Sequence, residues 1–164
     1  MENEKSTKQK ITPFLTFNDK AEEAVRFYTS IFKNSSVDNI SRYGKGAPAP
    51  EGSVMTVSFT LDGQKYTALN GGPHFKFNDA FSLTVTCDSQ EEVDDYWNKL
   101  TEGGEEVACG WLRDKFGLSW QITPKRLIEL ITDEDKEKAG RVMQAMMKMV
   151  KIDIPTLEKA AAGE

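Results

Sequence analysis

Asp19-Lys20-Ala21-Glu22-Glu23-Ala24-Val25-Arg26-Phe27-Tyr28-Thr29-Ser30-Ile31 is echoed by Asp88-Ser89-Gln90-Glu91-Glu92-Val93-Asp94-Asp95-Tyr96-Trp97-Asn98-Lys99-Leu100, at a constant offset of 69 residues. Both copies open on an aspartate and carry a glutamate pair, an apolar residue, an aromatic pair and a final aliphatic residue in the same register. In the first copy Ala24, Phe27, Tyr28 and Ile31 fall at i, i+3, i+4 and i+7, the spacing of one buried helix face. Asp19 is the expected N-cap, with Glu22 completing a box-like start. An alternating apolar stretch precedes each copy, Ile11–Phe17 and Phe81–Cys87. A strand followed by a capped helix is therefore used twice.

The surrounding sequence extends each copy into a module. Val37–Tyr43 leads into a loop rich in Gly, Pro and Ala (Gly44–Gly52). Val54–Leu61 and Gln64–Leu69 read as strands joined by Asp62-Gly63, a type I′ hairpin signal, and Asn70-Gly71-Gly72-Pro73 ends the return strand. After the second helix, expected from about Ser89 to Glu102 and stopped by Gly103-Gly104, two further strands are expected at Val107–Leu112 and Leu118–Thr123. The pattern is βαβββ, repeated. It predicts an α+β fold in which paired βαβββ modules form a half-open mixed β-barrel around a cleft. The expected boundaries are a disordered arm over residues 1–9, modules at about 10–77 and 78–123, and a helical C-terminal extension over 124–164. A last short helix is expected from Asp153, with Pro155 in its first turn.

Composition narrows the function classes. The chain has 164 residues, 38% of them hydrophobic, with nine Phe, four Tyr and three Trp. That is enough apolar volume for a packed core. The net charge of −5 argues against non-specific nucleic-acid binding. No apolar run reaches the ~18 residues of a membrane span, and MENEKSTKQK lacks the apolar stretch of a signal peptide. A cytoplasmic protein with no nucleic-acid or membrane partner is expected. Cys87 and Cys109 are too far apart for a CxxC motif and read as small core residues. Leu127, Ile131, Val142, Met146 and Met149 put apolar faces on the tail, which argues for a homodimer.

Four blocks carry a family resemblance: TPFLTFNDKAEEAVRFYTSIFKNS from Thr12, EGSVMTVSFTLDGQKYTALNGGPHFKF from Glu51, EEVDDYWNKL from Glu91 and CGWLRDKFGLSWQITP from Cys109. The sequence resembles the PhnB-like family, labelled the 3-demethylubiquinone-9 3-methyltransferase domain. That family belongs to the vicinal oxygen chelate superfamily, with glyoxalase I, bleomycin-resistance proteins and extradiol dioxygenases. The resemblance covers about residues 10–160 and implies paired βαβββ modules and a homodimer. It implies no particular reaction, because the superfamily hosts several chemistries and some pure binders. The methyltransferase label would need a Gly-rich turn between a parallel strand and a long helix. Neither Gly44-Lys45-Gly46 nor Gly71-Gly72 stands in that setting.

The resemblance also implies where a metal would sit. The superfamily's closing motif D-P-D-G-N-x-x-E is similar to Asp114-Lys115-Phe116-Gly117-Leu118-Ser119-Trp120-Gln121, with Gln121 at the carboxylate ligand's position. The opening positions hold Thr12 and Phe81, which are not useful ligands. A divalent site needs at least three protein ligands, so no cofactor is expected, a divalent metal being the alternative. His74, the chain's one histidine, is the candidate catalytic acid or base, or else a structural histidine. If Gln121 faces the cleft, strand alternation puts Ser119 and Thr123 beside it and sends Trp120 to the helix-packed layer. The expected substrate-binding set is Asn70, His74, Trp111, Ser119 and Gln121. Arg113 and Lys115 read as a solvated turn. Small-molecule binding without an intact metal triad is the reading adopted. The alternative is an enzyme on a small oxygenated or aromatic substrate, either metal-assisted (lyase, isomerase or dioxygenase) or the methyltransferase of the family label.

Overall fold

The structure is a computed structural model that describes residues 9–164. The expected arm lies outside the described residues except for Gln9. The Gln9 side chain brackets the Lys65 backbone, its Nε2 donating to the carbonyl at 2.9 Å and its Oε1 accepting from the N–H at 3.0 Å. The chain divides into two compact units, with the boundary between Lys76 and Phe77.

The first unit runs β1 (Phe14–Phe17), α1 (Ala21–Ile31), β2 (Ser36–Arg42), β3 (Val54–Leu61) and β4 (Gln64–Asn70). Its sheet has the order β1-β4-β3-β2. β1 pairs parallel with β4, and the other pairings are antiparallel. Asp62 and Gly63 both have positive φ, as the type I′ turn requires, and Leu61 sits opposite Gln64. Val57, Phe59 and Leu61 alternate toward one face, opposite Ala68, Tyr66 and Gln64 in register. Ala24, Val25 and Tyr28 of α1 are buried with them. The Phe59 and Tyr66 rings stack at 5.3 Å. Full burial of a side chain such as Phe59 stabilises by roughly 1.5–3 kcal/mol over leaving it exposed. The other face carries hydroxyls: Thr56, Ser58 and Thr67, with Ser41 bonded to Thr56 at 2.5 Å.

The second unit repeats this topology. It runs β5 (Ser82–Cys87), α2 (Gln90–Thr101), β6 (Glu105–Glu106), β7 (Trp111–Arg113) and β8 (Ser119–Pro124). The order is β5-β8-β7-β6, with β5 parallel to β8. The fold class is thus α+β, built from two βαβββ modules with mixed four-stranded sheets. The 69-residue offset carries the first residue of α1 onto the first of α2. One aromatic of each pair, Tyr28 and Trp97, is fully buried.

Three helices follow: α3 (Lys125–Ile131), α4 (Lys136–Met146) and α5 (Ile154–Ala162). Asp153 caps α5 by accepting from the Thr156 N–H at 2.9 Å, with Pro155 in the first turn. Leu127, Leu130, Val142, Ile152, Leu157 and Ala161 form a core of their own, with Ile131, Met146 and Met149 packed against it. Of the tail residues expected to face a second copy, Leu127 and Val142 are buried in this core, and Ile131, Met146 and Met149 are partly buried against it. Ile128, Met143, Met147 and Val150 are the large apolar side chains left exposed there among the described residues.

Two local expectations are corrected. Asp19 does not cap α1: the residue before the helix is Lys20, and no side chain of the capping position bonds the first turn. The cap comes from across the unit, where Asn70 Oδ1 accepts from the Ala21 N–H at 2.8 Å. Val107–Leu112 is not one strand. Strand pairing stops at Glu106 and resumes at Trp111, because Cys109 and Gly110 both take left-handed backbone conformations.

Candidate functional site

β8 lies between β5 and β7, so its side chains are positioned from both sides. Trp120 and Ile122 are buried on the face where α2 packs. Alternation sends Ser119, Gln121 and Thr123 to the opposite face. Register places Trp111 of β7 directly beside Gln121, Arg113 beside Ser119, and Ser82 and Thr84 of β5 beside Ser119 and Gln121. The structure therefore brings Trp111, Ser119 and Gln121 together on one face of one sheet.

Hydrogen bonds fix Ser119 and Gln121. Gln121 Nε2 donates to Ser82 Oγ at 2.8 Å. The buried Ser119 hydroxyl donates to Asp79 Oδ1 at 2.7 Å. Arg113 forks onto the same carboxylate, Nε at 2.9 Å and Nη2 at 2.5 Å, and its Nη1 reaches Glu105 at 2.9 Å. The Arg113 hydrogen bond, then that of Ser119, holds the Asp79 carboxyl down at about 2, and Asp79 and Glu105 together raise the guanidinium. Arg113 is thus the hub of a charge network rather than a solvated tip. Beside it, Asp79, Val107, Ala108, Cys109, Trp111, Leu112 and Ser119 line a cavity of about 350 Å³.

Asp114, unremarked in the sequence except as part of a motif, is almost fully buried. Its Oδ1 accepts from the N–H groups of Phe116 and Leu118, and its Oδ2 accepts from Trp120 Nε1 at 2.9 Å. Asp-x-x-Gly is the signal that could have found it. Aspartate begins such turns and bonds the backbone two residues on, while Gly117, at φ +88°, supplies the left-handed residue. Asp79 had no comparable signal, since its partners are 34 and 40 residues away.

Asn70 and His74 belong to the first unit. Besides capping α1, Asn70 donates from Nδ2 to the Val54 carbonyl at 3.1 Å, and its own carbonyl accepts from Tyr43 Oη at 2.6 Å. It lines a cavity of about 460 Å³ with Tyr43, Pro48, Pro50, Gly71 and Gly72. His74 is exposed in the turn after β4.

The donor set does not fit the divalent ion used by metal enzymes of the superfamily. No three His, Cys, Asp or Glu side chains converge among the described residues. The Trp111 face offers hydroxyls, an indole and one amide, and that amide is bonded to Ser82. Such neutral groups are weak ligands beside imidazole, thiolate or carboxylate. Thr12 and Phe81, at the opening positions, are both exposed.

Comparison with known proteins agrees with this frame. The family model described as 3-demethylubiquinone-9 3-methyltransferase matches residues 9–123. A PhnB protein from Bacillus cereus is 43% identical, with 71% of this chain and 99% of that chain covered and a TM-score of 0.66. Protein PA1353 from Pseudomonas aeruginosa is 21% identical over 71% of this chain and 97% of its own, with a TM-score of 0.59. The fosfomycin resistance protein FosX from Listeria monocytogenes is 15% identical over 70% and 90%, with a TM-score of 0.50. The last two show likeness of fold alone. No curated protein matches the sequence. Duplicated βαβββ modules, a family match over most of the chain and the 43% identical relative have one reading: the chain belongs to the PhnB-like family, described as 3-demethylubiquinone-9 3-methyltransferase.

Proposed function

We propose that the protein binds a small molecule on the open face of the second sheet, with Trp111, Ser119 and Gln121 as contacts and no metal taking part. One observation carries this reading. The Trp111 indole and the Ser119 hydroxyl line a cavity of about 350 Å³, and the half-buried Gln121 amide stands next to the indole in register, held by Ser82. An aromatic wall with a few placed polar groups is the usual make-up of a small-molecule site. The test is a screen of small oxygenated and aromatic compounds by thermal shift, followed by calorimetry of the compounds that bind. Trp111→Ala and Gln121→Leu are each expected to weaken binding by roughly ten-fold, the scale of one lost contact of about 1.4 kcal/mol. Unchanged affinity in both variants overturns the site. A homodimer and a cytoplasmic location belong to the same proposal, and light scattering checks the first.

The family description favours methyl transfer as a second reading, with His74 as the candidate acid or base. Micromolar binding of S-adenosylmethionine by calorimetry would establish it. Absence of binding would leave the description a label.

A further inference from the structure

The family match ends at Thr123, yet the residues beyond it shape the wall of the second unit's cavity. The segment joining α4 to α5 runs along residues 107–110. The Met149 carbonyl accepts from the Cys109 N–H and the Val150 carbonyl from the Gly110 N–H, both at 2.8 Å. Two residues on, Ile152 is fully buried, and a Cβ on Gly110 would lie 2.9 Å from its Cγ1. Gln90 of α2 clamps the segment from the other side. Its Nε2 donates to the Ile152 carbonyl at 3.1 Å, and its Oε1 accepts from the Ile154 N–H at 2.7 Å. Lys151 pairs with Asp94. Cys109, held in this way, forms one wall of the cavity with Val107 and Ala108 before it, and Trp111 and Leu112 continue it. Among the described residues the lining supplies no cation, and its one carboxylate there, Asp79, is already forked by Arg113.

We propose that the strap Met149–Ile154, clamped by Gln90, is the specificity element of this cavity: it sets the 107–110 wall and fits the site for a compact, uncharged, mainly apolar molecule. This rests on the small-molecule reading above. It adds the ligand class and the residue that positions the wall. Gln90 touches no ligand and acts through the strap. A charged ligand would lose its water without gaining a counter-charge, whereas an apolar one gains the indole, the aliphatic side chains and the thiol.

Cys109 reports on the wall in the full-length protein. Cys87 is buried and its thiol is pushed up to about 12, so it stays silent toward iodoacetamide at mildly alkaline pH. The expected result is one alkylated thiol, slowed by millimolar indole and not by benzoate. Gln90→Leu is expected to speed Cys109 alkylation by roughly ten-fold and to remove the protection, as losing a hydrogen bond or two from a local opening equilibrium implies. Lys99→Ala, which removes only the exposed ion pair with Asp95 on α2, is expected to leave both unchanged. If Gln90→Leu releases both thiols, Gln90→Glu carries the same criteria, since it keeps the acceptor for Ile154 and loses the donor for Ile152. An unchanged Cys109 rate in a folded Gln90 variant overturns the strap. Protection by benzoate equal to that by indole, or by neither, overturns the ligand class. Binding that still depends on Trp111 and Gln121 while the thiol ignores the strap sinks this inference alone. Binding that ignores Trp111 and Gln121 sinks the reading beneath it.

Discussion

The two units build the same sheet with unequal hairpins. In the first, β2 and β3 pair along Ser36–Arg42 and Val54–Thr60. In the second, β6 and β7 share only two register pairs, Glu105 with Arg113 and Glu106 with Leu112. Backbone N–H groups that a longer hairpin would satisfy must find partners elsewhere. Those of Cys109 and Gly110 find them on Met149 and Val150 of the extension. A duplicated topology thus tolerates the loss of a regular hairpin where another segment takes over its hydrogen bonds.

The largest expected effect lies at the point where the extension meets the shortened hairpin. Gly110 has φ +82°, and a Cβ there would also lie 2.9 Å from the Ile122 carbonyl oxygen. Gly110→Ala is expected to cost about 2–3 kcal/mol. Gly46, in the first unit's long loop, has a similar φ of +78° but open space around it. Gly46→Ala should cost only ~1 kcal/mol, the left-handed backbone penalty alone. Urea midpoints compare the two, and equal losses would break the contrast.

Helix caps give a smaller difference. α2 is capped from within, Ser89 Oγ accepting from the Glu92 N–H at 3.2 Å, whereas α1 borrows Asn70 from the end of β4. Ser89→Ala should cost ~1 kcal/mol, and Asn70→Ala up to ~2 kcal/mol because the bond to Val54 goes with it. Hydrogen exchange in the first turn of each helix reads the two effects separately.

The smallest effect is a pH dependence at Asp79 of the second unit. Arg113, then Ser119, holds the folded Asp79 carboxyl at about 2, below its ordinary value of 3.8. A depressed carboxylate contributes stability that is present above the ordinary value and lost as pH falls through the folded one. The Asp79 contribution should therefore fade between about pH 4 and pH 2, and Asp79→Asn should lessen the slope of that window in acid titrations of stability. A wild-type slope retained in the variant would locate the effect elsewhere.

Most of the fold was legible because its signals are local. The Asp19 and Asp88 repeats, the Asp62-Gly63 turn and the Asp153-Ile154-Pro155 helix start each depend on residues a few positions apart. The same locality explains the misreadings. Asp19 looked like a cap because nothing nearby revealed Asn70, 49 residues away from Ala21 in sequence. Val107–Leu112 read as a strand because the carbonyls that draw Cys109 and Gly110 out of it lie about forty residues downstream. Within the candidate site, period-two alternation sufficed to place Gln121 with Ser119 and opposite Trp120, and register added Trp111. Asp79 and Arg113 escaped because a charge network is set by tertiary geometry, which leaves no periodic trace.

The order in which the chain is synthesised now matters. The described hydrogen bonds that close the first sheet join residues no later than Gly72, so all of them are available before any residue of the second unit is made. The second unit cannot be finished on the same schedule. Its Cys109–Met149 and Gln90–Ile154 bonds become available only when synthesis reaches α5. A nascent chain therefore carries one finished half and one half awaiting its clasp, and the interval between them is when its unsatisfied backbone is exposed to chaperones and proteases.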